Sequence, residues 1–181
     1  YNGALGNFSG SNAHIYISQL NGAPFSASSM VNGIVAPWMV VTNTAGAANT
    51  TPFNFATYSN IAGLTIPGSN GTTTLTAATA AGAGAALNQS IAATLTSIVG
   101  QTMNSLTVNP GATAATVGML GSQDQLALAS GGVILNAQSA LTVQGGSITT
   151  PASTLYLNAY NTTGTTTINS PIVNSGATLS S

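Results

Sequence analysis

Two side chains in this sequence can carry charge near neutral pH: Asp124, in GSQDQL, and His14, which opens HIYI. Every other position is neutral, because the chain has no Lys, Arg, Glu or Cys. A lone carboxylate acts as a general acid or base only with a partner group, and Asp124 has no second acid and no cationic side chain to work with. It is expected to be a turn aspartate between a Gly-Ser turn and an apolar strand. His14 is the only base that could activate one of the many Ser and Thr hydroxyls, and nothing in the sequence would orient it. Zinc sites need several His, Cys or carboxylate ligands, and a calcium site built on carbonyls alone would be weak. Polysaccharide-cleaving solenoids likewise need clustered acids and bases. The sequence therefore predicts no enzyme: no catalytic, cofactor-binding or metal-binding residue, and no cofactor.

Neutral groups leave a smaller set of possibilities. The runs TTTLT at 72–76 and TGTTTIN at 163–169 would order water only if T-x-T pairs repeated at constant spacing on neighbouring coils, and the two runs do not repeat in this way. N-x-S/T triplets occur at Asn7, Asn49, Asn70, Asn88 and Asn161, about as often as an Asn-, Ser- and Thr-rich chain produces them by chance. Tyr156 and Tyr160 are the candidates for gripping a glycan.

The elements that would position these groups are short strands. LTV at 106–108, LAL at 126–128, VIL at 133–135, LTV at 141–143 and LYL at 155–157 share an apolar-x-apolar pattern and are followed closely by Gly, Asn, Pro or Ser. Triplets beginning at Leu126, Leu141 and Leu155 are spaced by 15 and 14 residues. Short strands of one pattern at near-regular spacing predict the rungs of a parallel β-solenoid. The alternative is a β-sandwich of regular hairpins. Helical patterning is nearly absent. Leu87, Ile91, Leu95 and Ile98 could line one helical face, although the same residues also fit strands. The bulky aromatics Tyr1, Phe8, Tyr16, Phe25, Trp38, Phe53, Phe55 and Tyr58 gather before residue 60, as a segment covering the first coil would require.

Composition supports the same class. Apolar residues make up 44% of the chain, enough for a core, whereas charged residues make up 1%, against roughly 25% in ordinary soluble domains. Without basic residues, phosphate backbones and anionic membrane surfaces have no partner, so nucleic-acid binding is excluded. No apolar run approaches the roughly 20 residues of a spanning helix. A formal net charge of −1 gives little protection against association. Tyr at position 1, with no basic-then-apolar leader before it, fits a mature or excised product, and trypsin has no site in the chain.

The run NGIVAPWMVVTN followed by FNFATYSN resembles a Trp-then-FATY segment of the autotransporter-associated β-strand repeat family. The order of TMNSLTVNPGAT, LALASGGVIL, LTVQGGSITT and STLYLNAYNTTGTTTINSPIVNSGATLSS is similar to that of the family's β-solenoid body, so the resemblance covers roughly residues 30 to 181. Ala36 and Pro37 precede Trp38 where the family usually has a Gly pair, and no translocator barrel is present in the sequence. The resemblance implies a large secreted or surface bacterial protein.

The sequence thus predicts an all-β parallel solenoid with an aromatic-rich N-terminal cap or first coils over 1–60 and a body over 61–181. The expected role is a non-catalytic, self-associating subunit of an extracellular or cell-surface filament, fibre or matrix. Its partners would be copies of itself and surface glycans, with no membrane insertion. The alternative is an adhesin or glycan-binding passenger segment of a larger protein.

Overall fold

Apolar-polar alternation in runs of β-branched and small residues favours strands whose every second side chain turns inward, and the computed structural model has this organisation. It describes residues 14–41, 53–65, 72–75, 84–161, 163–174 and 178–180. In chain order the first strands are β1 (Gln19–Leu20), β2 (Ala23–Pro24), β3 (Val40–Val41), β4 (Asn54–Phe55), β5 (Thr57–Ser59), β6 (Gly63–Thr65) and β7 (Thr72–Thr74). Then come β8 (Gly84–Ile91), β9 (Leu95–Ile98), β10 (Gln101–Gly111), β11 (Ala115–Met119), β12 (Gln125–Ala137) and β13 (Leu141–Gln144). The last are β14 (Ser147–Thr150), β15 (Thr154–Ala159), β16 (Thr166–Ile168), β17 (Ile172–Asn174) and β18 (Thr178–Ser180). Among the described residues the only helical piece is a 3-10 turn at Ala27–Ser29. Leu87, Ile91, Leu95 and Ile98 thus lie in or at the ends of strands β8 and β9, not on a helix.

From β7 onward every strand pair is parallel. Parallel neighbours cannot be joined by a tight hairpin, so the chain must travel round before it returns beside itself. It does so as a β-solenoid of about three turns, which excludes the sandwich. Each turn has three sides. The first carries the opening residues of β10 and β12, then β14 and β17; the second carries the closing residues of β10 and β12, then β15 and β18. The third is a separate sheet, β9-β11-β13-β16.

Val133 faces Leu157 on the next turn, 24 residues on. The triplets at Leu126, Leu141 and Leu155 are therefore not successive rungs. Leu126 lies on the first side, Leu141 on the third and Leu155 on the second, so the spacings of 15 and 14 measure distance round a coil. True neighbours form columns: Leu106–Val133–Leu157, Ile91–Val108–Leu135 and Leu95–Val117–Val143–Ile168. These columns point inward and form one core with Met103, Leu126, Leu128, Leu141, Ile148 and Leu155. Each fully buried Val, Leu or Ile contributes roughly 1.5–3 kcal/mol relative to exposure. At the N-terminal end of the Leu106 column stands Gln89, whose Oε1 is buried without a partner.

The corners are made by residues that tolerate what a corner demands. The long strands bend where β10 shifts register between Met103 and Ser105. On the next coil Gly131 makes the same corner at φ +77°, where a Cβ would collide with the Thr154 carbonyl. At the corner after β13, Gly146 has φ +40° and presses on the Asp124 carbonyl. Only glycine accepts both the left-handed backbone and the close approach.

Among the described residues the strand pairs of the N-terminal segment are antiparallel: β1 with β2, β3 with β4, and β5 with β6. Its aromatic residues cover the solenoid along the flank of the second side. Ile134 points outward there and is fully buried beneath Ile34 and Phe55. The Phe55 ring sits where a Cβ on Gly132 would be, at 2.9 Å. Phe53 stacks on Tyr160 with ring centroids 3.8 Å apart and planes 12° from parallel. A second small core, Val35, Ala36, Ala56 and Tyr58 with Phe25 and Trp38 packed against it, holds the segment together. Tyr1 and Phe8 lie outside the described residues.

Candidate functional site

The two titratable residues are far from any shared site, each occupied by its own loop. Asp124 ties one corner together: its Oδ2 accepts from the Gly121 N–H at 2.7 Å and its Oδ1 from the Gly100 N–H at 2.8 Å. The Asp124 carbonyl in turn accepts from Ser147 N–H on the following coil at 2.9 Å. A carboxylate is suited to this position because it can satisfy two converging backbone donors at once. His14 is exposed in the N-terminal segment, its Nδ1 2.9 Å from the Ala62 carbonyl, with the tilted Tyr16 ring beside it. Among the described residues no group of three His, Cys, Asp or Glu side chains converges, and no helix is long and apolar enough to cross a membrane.

Of the N-x-S/T positions, Asn7, Asn49 and Asn70 lie outside the described residues. Asn88 is buried, donating to the Asn32 carbonyl at 2.8 Å and accepting from Asn104 Nδ2 at 2.8 Å and Ser105 Oγ at 2.6 Å. Asn104 Oδ1 accepts from Asn32 Nδ2 at 3.0 Å. This amide cluster welds the N-terminal segment to a solenoid corner, with every buried polar atom in it matched by a partner. Asn161 closes a loop by donating to the Ser139 carbonyl at 3.0 Å and accepting from the Gly164 N–H at 2.9 Å. Sequence spacing could not reveal the Asn32–Asn88–Asn104 cluster, because Asn32 and Asn104 are 72 residues apart and meet only once the N-terminal segment packs on the solenoid.

The two threonine runs fall on different sheets: Thr72–Thr74 joins the edge beside β8, and Thr166–Ile168 joins the third side. Thr142 nevertheless stands in register with Thr116 and Thr167, forming one column across three coils. The next outward position along is Gly118 beside Gln144, so no T-x-T pair recurs. Of the two tyrosines, Tyr160 is stacked beneath Phe53, and burial pushes its phenol pKa above the ordinary value. Tyr156 faces outward from β15, between the inward Leu155 and Leu157.

The open feature of the fold is the edge of the coil stack. Among the described residues β16, β17 and β18 each pair on one side only. Ile172 continues the core column of Leu126 and Ile148 but is 41% exposed, and Val173 beside it is 44% exposed. At the opposite end, among the described residues, β7 pairs only with β8. Natural sheets protect such edges with Lys, inward charges or bulges, and this chain has no Lys or Arg with which to do so. No protein-family model, curated protein or solved structure matches the chain.

Proposed function

We propose that this chain is a non-catalytic structural subunit of an extracellular or cell-surface filament, fibre or matrix, and that its copies join coil to coil. The observation that supports the proposal is the stack of parallel coils, in which Ile172 continues a core column yet is 41% exposed among the described residues. An incoming copy whose first strands paired there would extend three parallel ladders and bury that apolar surface, which is strand addition in its simplest form. A net charge of −1 offers little repulsion to oppose the approach. The resemblance of residues 30–181 to secreted repeat proteins is in keeping with an extracellular location.

Negative-stain microscopy and sedimentation across a concentration series test this reading. Wild-type protein should form regular filaments whose strands repeat every ~4.8 Å along the axis. Val173→Lys places a charge on the edge without touching the core, and should abolish filaments while leaving the circular dichroism of the monomer unchanged. Wild-type protein that stays monodisperse at every concentration would end the proposal.

A further inference from the structure

Between the N-terminal segment and the solenoid flank lies a cleft of about 310 Å³. Asn21 and Trp38 border it from the segment, and Ser153, Thr154 and Tyr156 from the solenoid. We propose that this cleft binds an uncharged carbohydrate, one or two sugar rings held between the aromatic side chains. The inference stands independently of self-association, since the cleft is on the flank and not at the coil edges.

Charge is the first argument. Neither Asp124 nor His14 lines the cleft, and no other side chain in the molecule could neutralise an ionic ligand. Stripping water from a charged group there would go uncompensated, so phosphates, nucleotides and acidic sugars are disfavoured. The second argument is the pairing of surfaces. A sugar ring has a face of C–H bonds and a rim of hydroxyls. Trp38 and Tyr156 are half-buried and offer broad ring surface with a polar tip. The Asn21 amide and the Thr154 hydroxyl can both give and accept hydrogen bonds, as sugar hydroxyls require. Among the described residues neither the Trp38 indole N–H nor the Tyr156 hydroxyl is paired with another protein group. The volume lies at the small end of ligand clefts. A peptide is the poorer occupant. It would bind best by adding a strand, yet β15 already has β12 on one edge and β18 on the other.

Trp38 is the only tryptophan in the chain, so its fluorescence reads this cleft alone. Dilute full-length protein is titrated with cellotriose, mannotriose, maltotriose and N,N′,N″-triacetylchitotriose, with a Ser-Thr-Asn peptide as competitor class. Saturation-transfer NMR serves as a second readout. A saturable change is expected with at least one trisaccharide. It should weaken about tenfold in Tyr156→Ala, weaken less in Thr154→Val, and persist in Ile61→Ala, a substitution at an exposed site away from the cleft lining. The inference is overturned if no trisaccharide saturates below about 10 mM, if the response survives Tyr156→Ala unchanged, or if only the peptide binds.

Discussion

Asp124 has a structural task of unusual weight for a single carboxylate in a chain with no other acid. Two backbone N–H groups from separate turns converge on its two oxygens, and hydrogen bonds to a charged acceptor are each worth about 1.5–3 kcal/mol. Its partial exposure argues for the lower part of that range. Asp124→Ala should therefore cost about 2 kcal/mol, and Asp124→Asn, which keeps one acceptor oxygen, about half as much. Urea unfolding of the edge-blocked Val173→Lys protein would measure both without interference from assembly. Tyr160 offers a second residue-level test. Burial beneath Phe53 raises its folded pKa above the unfolded value of about 10. The folded state thus holds the phenolic proton more tightly, so the stability involved is fully present below pH ~10 and is lost as pH rises through the folded pKa. Thermal melts from pH 8 to 12 should show that alkaline loss in wild type and a smaller one in Tyr160→Phe. The sequence offers Asp124 and His14 no second acid and no Lys or Arg. It did not expose their actual contacts, because Gly100 and Gly121 reach Asp124 only after the corner closes.

At the scale of elements, the apolar-x-apolar triplets mark β10, β12, β13 and β15 directly, since inward alternation is a local property. They do not mark the coil period. A three-sided coil places similar triplets on different sides, so 126, 141 and 155 mimic a repeat much shorter than the 24 residues between Val133 and Leu157. Knowing the period also reveals the Thr116–Thr142–Thr167 column, whose members lie in runs of unlike sequence. Corners are where the elements are most vulnerable. Gly146→Ala would need a left-handed backbone and would drive a methyl group into the Asp124 carbonyl. A loss of about 3 kcal/mol is expected, whereas Gly22→Ala, also at positive φ but with open space around it, should lose only about 1 kcal/mol. The difference between the two unfolding midpoints separates backbone strain from collision.

At the scale of the molecule, stability is a sum over neighbouring coils. Among the described residues, strands β10 and β12 have parallel partners on both sides, while β7 and β17 have one each. Amide exchange should be slowest in β10 and β12 and fall away toward both ends, and assembly should slow exchange selectively in β16, β17 and β18. Uniform protection across all coils would contradict this gradient. The flank contact was the least legible part of the fold. Nothing local marks Ile134 as outward, because VIL is apolar on both faces; only the arrival of Ile34 and Phe55 from far along the chain explains it.

The same coil geometry governs how the molecule would carry load. Successive turns are joined to each other by parallel ladders and a shared core, with no covalent cross-link, since the chain has no Cys. Tension applied at the termini would therefore peel the ladders one coil at a time instead of shearing the whole stack at once. Each coil set free contributes the 24 residues that separate Val133 from Leu157, or about 80 Å of extended chain. A fibre built from such units would lengthen in steps under load and absorb work at each one, behaving as an extensible tether more than as a rigid strut.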